Sequence, residues 1–524
     1  MVPACIVGGR VLTADAFYAE RDQRTALGGA YAAPQLAVAV VLAPDLMETA
    51  AGQTALLWSL SMLKRMGRAF SRSIIVATSG AADTRNHAAL HRSLATLGQA
   101  VNAELMGADP FGSIEWRALG DDGALAGVDL VLRIGFVDPA GTAPRLGEVR
   151  VGWNGWVFGV DWTPPASWAL ANHMRPAGEA AETGPAATAA VVAAAAAAVA
   201  LVYRTVRDEH PSEGENLRYW CSVDTGRVCV DPADASVWMR QGSSHPGPAP
   251  WDAEAGPQVN LGELVLVSAG GIGGNAAQVL AASWITCASA TVVEPDIIEL
   301  SNLNRLIRVG VGAVGQPKAA PAVTALAEAG LRTRGYAARY EDLAAADLAP
   351  TSAEPRRLLV GVDQVASRLQ VQADWPDLLV NAGTSGTSWT VSLHPRGSGA
   401  CLGCIHGAAT QTYAASRRAL ACGAGMPVVG EEQMTQPEAS FPFASVMAAA
   451  FQVAALIRTA GAGPHVRFTA DARVANSVRL PFLSTGPRER EPHCLLLCSH
   501  PALAALWAEA VGGSGAAHPS AHAE

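Results

Sequence analysis

"LVLVSAGGIGGNAAQVLAASWITCASATVVEPD", residues Leu264 to Asp296, is the stretch on which the fold turns. An apolar run meets Gly270, Gly271, Gly273 and Gly274. A helical pattern of small residues follows, and a second apolar run ends in Glu294 and Asp296. Glycines let backbone N–H groups approach phosphate oxygens, and the N-terminus of the following helix adds a favourable dipole. The fingerprint departs from the strict G-x-G-x-x-G pattern, because Ser268 stands at its first glycine. Glu294 ends the second predicted strand, where an acid accepts hydrogen bonds from ribose hydroxyls. To this point an NAD dehydrogenase would read the same way, and a tight turn that binds nothing stays open.

Working outward, "ELVLVS" (263–268), "ATVVEPD" (290–296), "RRLLVGVD" (356–363) and "DLLVNAG" (377–383) read as buried strands, with a helical pattern over 318–330. Strands alternating with helices imply a parallel, doubly wound α/β sheet. The first half offers the same plan: strands over 37–45, 72–79 and 128–135, and a helix over 52–67. A long small-residue helix ends each half, at 184–204 and 442–461. After its first strand, however, the first half has "APDLMETAAG" in place of a glycine cluster. The expected organisation is two Rossmann-like domains in tandem, the first degenerate: residues 1–210, a linker at 211–255, an active domain at 256–498 and a tail at 499–524. Two short strands are possible near Cys221 and Cys229.

After the glycine loop comes "DIIELSNLNRLIRVGVGAVGQPKAA" (296–320), then "GVDQVASR" (361–368). The glycine loop, S-N-L-N-R and the lysine of "VGQPK", in this order, resemble the family of ubiquitin-activating enzymes and of sulfur-carrier adenylyltransferases. The resemblance covers Gly262 to Cys498. It implies that a carboxylate attacks the α-phosphate of ATP and expels pyrophosphate, with negative charge gathering in the transition state. Arg305 and Lys318 are then expected at the phosphates and Asp363 on Mg²⁺, with Gln364 where the family usually has Asn. Asn302 and Asn304 are expected to position ribose or phosphate groups. On residue chemistry alone, Asp363 could instead cap a helix. Relatives often take one more arginine from a partner or pseudo-domain; Arg21 and Arg24 are the candidates, with a surface arginine the plainer reading of either.

Cysteines cluster late in the chain. Cys401 and Cys404 form "CLGC", and Cys494 and Cys498 form "CLLLC". Two close pairs suit a tetrahedral Zn²⁺, with His493 or His500 as a substitute ligand. The family's second pair usually has two intervening residues, not three. Cys422 stands alone in "RRALACGAGMPVVG", where sulfur-carrier activating enzymes carry a reactive cysteine. Arg417 and Arg418 would favour its thiolate.

Only 16% of the 524 residues are charged and the net charge is -9, without a basic run, so nucleic acid is not an expected partner. Cysteine usage points to a reducing compartment and a cytoplasmic protein. The helix over 184–204 is long enough to span a bilayer. Its alanine content points to a buried helix, so no membrane partner is expected. The leading expectation is adenylation of a ubiquitin-like protein, followed by a thioester on Cys422 and transfer to a conjugating enzyme. A sulfur-carrier or peptide adenylyltransferase is the alternative, and an NAD(P)-dependent oxidoreductase is an alternative of another class.

Overall fold

The computed structural model describes residues 4–26, 36–66, 73–79, 82–88, 90–119, 123–135, 144–154, 156–163, 188–206, 218–223, 228–229, 259–283, 285–343, 347, 352–406, 439–461, 471–477, 483–490, 494 and 496. The chain opens with a hairpin, β1 (Ala4–Val7) and β2 (Arg10–Thr13), and two short helices, α1 (Ala14–Arg21) and α2 (Gln23–Ala26). Then come β3 (Val38–Leu42), α3 (Ala50–Arg65), β4 (Ser73–Thr78), α4 (Leu97–Ala108), β5 (Ser113–Ala118), β6 (Leu130–Ile134), β7 (Glu148–Asn154), β8 (Val157–Thr163), α5 (Thr188–Val206), β9 (Arg218–Ser222) and β10 (Val228–Cys229).

The second half holds β11 (Val259–Asn260), β12 (Glu263–Val267), α6 (Gly271–Ala281), β13 (Ile285–Thr286), β14 (Ser289–Val293), α7 (Ala319–Glu328), β15 (Thr333–Tyr336) and β16 (Arg356–Val360). It continues with α8 (Val365–Ala373), β17 (Leu378–Ser385), β18 (Ser388–Pro395), α9 (Leu402–Ile405), α10 (Pro442–Gly461), β19 (Asp471–Asn476) and β20 (Leu483–Pro487).

Two eight-stranded sheets result. Their orders are β5-β4-β3-β6-β7-β8-β9-β10 and β15-β14-β12-β16-β17-β18-β19-β20. In each, the first four neighbour pairs are parallel and the last three antiparallel. The central strands β3, β12 and β14 are buried along their whole length. That explains their largely apolar sequences, VAVVL, ELVLV and SATVV, since a parallel sheet covered on both faces has no polar side to alternate with. β9 and β10 fall in the stretch expected as linker, and they complete the first sheet.

The helices α5 and α10 pack on each other, α5 also on α3 and α10 on α6. Both are long and apolar enough to cross a membrane. In this fold every α5 residue except Arg204 is buried, and α10 is buried from Pro442 to Ile457. Their alanines let the axes approach closely, so one hydrophobic core runs through both halves. The hairpin and α1 pack Val7, Leu12, Phe17 and Tyr18 against Ile298, Leu300 and Leu303 of the second half.

At the C-terminal end of β3, Leu46 fills space between the described residues that follow β3 and β6. Leu46 is buried there. A Cβ on Gly135, at the end of β6, would lie 2.6 Å from Leu46 Cδ1, and one on Gly52 would lie 2.3 Å from the Leu46 carbonyl oxygen.

Candidate nucleotide site

In the second sheet the strand order reverses at β12, which lies between β14 and β16. A crevice outside the carboxyl ends of the strands is the usual ligand site of such sheets. The glycine loop closes it. Ser268 has φ +99°, a left-handed conformation that glycine takes without strain. Its hydroxyl accepts the Gly270 N–H (3.1 Å) and donates to Glu294 (3.3 Å). Glu294 also accepts the N–H groups of Ala269 (2.7 Å) and Asp296 (3.1 Å). The Glu294 carboxylate is therefore buried and engaged by its own loop. A Cβ on Gly273 would lie 1.9 Å from the Ser268 carbonyl oxygen, so only glycine lets α6 start this close to β12.

Gly270 caps α6 without a side-chain hydrogen bond. Among the described residues, no hydrogen bond outside the helix engages the N–H groups of Gly271, Ile272 or Gly273. Such amides, with the helix dipole behind them, form an anion cradle.

Arg305 stands over this cradle: a Cβ on Gly271 would lie 3.0 Å from Arg305 Cδ. The Arg305 guanidinium donates from Nη1 to the Ser301 carbonyl (3.0 Å) and to Asn304 Oδ1 (2.8 Å). Burial pushes its pKa down to about 10, and Arg24 adds to the shift while Asp363 and Glu299 oppose it. The charges of two arginines from different halves of the chain thus act on each other here. Asn304 links them, donating from Nδ2 to Thr25 Oγ1 (3.1 Å), next to Arg24, and to the Ser440 carbonyl (3.3 Å). Arg24 has no ion pair among the described residues, whereas Arg21 is buried and paired with Asp22.

Asp363 lies just past the end of β16, exposed, with no hydrogen bond or ion pair among the described residues. The residue that caps α8 is Gln364, also exposed, and it makes no side-chain cap bond. Lys318 sits beyond β14, paired with Asp296 at 2.8 Å. Asn302 accepts the Glu299 N–H at 3.0 Å, within a capping box around the short helix Leu300–Asn304. Arg305 thus lies against the glycine loop with Arg24 and Asp363 near enough for their charges to act on it, and Lys318 is held at a neighbouring strand end.

Two residues escaped the sequence reading. Asn275 is fully buried, donates to the Arg305 carbonyl (3.0 Å) and accepts the Ile307 N–H (3.0 Å). An asparagine within a helix of small residues was the available signal. Arg368 donates to the Val362 carbonyl (2.7 Å), and burial lowers its pKa while Asp363 opposes the shift. Nothing in its spacing marked it.

The Sγ atoms of Cys401, Cys404 and Cys494 all lie within 4.8 Å of one another, and all three residues are buried. Cys401 is 3.7 Å from Cys404 and 3.4 Å from Cys494, sulfur to sulfur. Three convergent buried thiols fit a soft tetrahedral cation. Cys498, His493, His500 and Cys422 lie outside the described residues.

Comparison with known proteins places a ThiF family match at residues 254–495 and a BilD N-terminal domain match at residues 37–218. The uncharacterized protein y4jF of Sinorhizobium fredii is 33% identical over 151 residues, which span 28% of each protein. Among solved structures, E. coli MccB with ATP aligns at 19% identity and a TM-score of 0.34, covering 45% of this chain and 65% of MccB. MccB with succinimide aligns at 18% identity and a TM-score of 0.34, covering 45% and 66%. The chain thus spans less than two thirds of these relatives.

Proposed function

We propose that the ThiF-family domain of residues 254–495 adenylates the C-terminal carboxylate of a small protein, using ATP. The observation that carries this reading is Arg305, under the charges of Arg24 and Asp363, against a glycine loop whose helix amides are open to an anion. Cations and amides suit the triphosphate, and an uncommitted carboxylate suits the metal that accompanies it. A nicotinamide dinucleotide would need neither the second arginine nor Asp363.

In the proposed reaction a carboxylate oxygen of the small protein attacks the α-phosphorus. The bond to the bridging oxygen breaks, and pyrophosphate leaves with its electron pair. Arg305, Arg24 and the α6 amides stabilise the charge that develops on the phosphoryl oxygens. Asp363 is the residue that would hold the magnesium accompanying ATP, which would supply positive charge to the leaving pyrophosphate. Lys318 serves the phosphates on leaving Asp296. Cys401, Cys404, Cys494 and Cys498 would hold Zn²⁺ and tie the end of the domain to α9.

The finer reading is a ubiquitin-like substrate. The acyl adenylate then passes to the Cys422 thiolate, giving a thioester and AMP, and a conjugating enzyme takes the acyl group. This chemistry belongs in an ATP-containing, reducing cytoplasm.

Pyrophosphate–ATP exchange with a small β-grasp protein ending in glycine tests the reading. Exchange that depends on that protein supports it. Reduction of a nicotinamide cofactor without any exchange would sink it.

A further inference from the structure

Arg305 rides on a turn, residues 303–309, whose backbone is gripped from outside its own domain. Arg65 of α3 is fully buried, and its Nη1 donates to both the Leu303 carbonyl (2.6 Å) and the Val309 carbonyl (3.0 Å). Glu104 of α4 accepts the Arg308 N–H at 3.0 Å. The same oxygen accepts Arg65 Nη2 at 2.7 Å and, closely, the Ser61 hydroxyl. The second oxygen of Glu104 faces His91 Nε2 at 2.9 Å.

The turn itself is not relaxed. Arg308 has φ +65°, so the N–H that Glu104 accepts belongs to a left-handed, non-glycine residue. Next to it, a Cβ on Gly310 would lie 2.7 Å from the Gly107 Cα, so α4 and the turn meet backbone to backbone. From the other side, Asn275 holds the Arg305 carbonyl and the Ile307 N–H.

Burying an ion pair stabilises a fold little compared with apolar packing of the same volume. Here its hydrogen bonds are spent on the backbone of another domain's turn, on both sides of Arg305. We propose that Arg65 and Glu104 are positioning residues: from the first half, they hold the 303–309 turn so that Arg305 faces the glycine loop. The first half thereby sets the turnover of a nucleotide site built on the second half's glycine loop. This inference rests on reading that site as an adenylation site.

The test uses the full chain carrying Glu104→Gln, which keeps the shape and one acceptor oxygen. The kcat of pyrophosphate exchange is expected to fall about tenfold or more, with KM for ATP changed by less than about threefold. Amides of residues 303–309 should exchange with deuterium faster. In an Arg305→Lys background the further loss should shrink to about twofold or less, because the group being oriented is already compromised. A merely structural role would lower both backgrounds equally.

A folded Glu104→Gln chain with unchanged kcat, or an equal drop in both backgrounds, overturns the proposal. Should Glu104→Gln fail to fold, Gly107→Ala presses a methyl to 3.3 Å from the Gly310 Cα without touching the ion pair. Its kcat should fall in the same way, and an unchanged kcat overturns the proposal. If the wild-type chain shows no exchange with any carrier, the adenylation reading fails on its own. Deuterium exchange then decides the clamp: protection of the turn lost in Glu104→Gln supports it, and protection kept overturns it.

Discussion

The two halves share one strand order, yet the chain that follows the first strand, where that order reverses, differs between them. In the second half β12 runs into glycines, and α6 begins with open amides. In the first half β3 runs into Ala43 and a short helix, Pro44–Leu46, and the Leu46 side chain occupies the corresponding space. A sheet topology therefore offers a site without guaranteeing one, and the loop after the first strand decides. What the first half contributes instead is contact: Arg65, Glu104 and Arg24 all reach toward the second half's site.

The sharpest break of this contrast is Asp363→Ala. It should lower pyrophosphate exchange by about a thousandfold while nucleotide binding survives in part, read by exchange kinetics and a fluorescent ATP analogue. A comparable activity loss from a substitution in the first half's plugged loop would erase the distinction. Leu46→Ala is that substitution. It should cost about 3 kcal/mol of stability in a denaturant titration and leave calorimetric stoichiometry at about one nucleotide per chain. A second nucleotide would show that the first half's crevice can be reopened.

Arg24→Ala comes next, with an expected loss of about tenfold in kcat/KM and an unchanged denaturation midpoint. Arg21→Ala, three residues earlier, should instead destabilise the chain by stranding the buried Asp22. The smallest effect concerns backbone strain at the loop's entrance. Ser268→Gly should exceed Ser268→Ala in stability by about 1 kcal/mol, because glycine accepts φ +99° and alanine does not. Cys422 offers a qualitative test: Cys422→Ala should keep adenylate formation and lose any thiol-sensitive adduct, seen by mass spectrometry.

Much of the parallel framework was legible in the chain. Expected strands over 263–268 and 356–363 became Glu263–Val267 and Arg356–Val360, and the expected helix over 442–461 is Pro442–Gly461. Continuous apolar runs and small-residue helices announce a doubly covered sheet. The strands β7 and β8 are not legible in the sequence, because Gly, Trp and Asp interrupt any periodic pattern in "EVRVGWN" and "VFGVDWT". α4 was missed as well, although Thr96 and Gln99 make a capping box at its start.

The order of apolar runs and glycines, together with S-N-L-N-R, was enough by itself to specify two α/β units and to mark one of them for a nucleotide, since local backbone preferences and burial are written residue by residue. It could not say that Leu46 packs against Gly135 and Gly52 or that the charge of Arg24 acts on Arg305, some 280 residues later in sequence. Nor could it say that Arg65 and Glu104 grip the turn that carries Arg305. Those facts arise only when α5 and α10 pack the halves into one core, because charge and contact depend on distance in space, and sequence separation leaves that distance open.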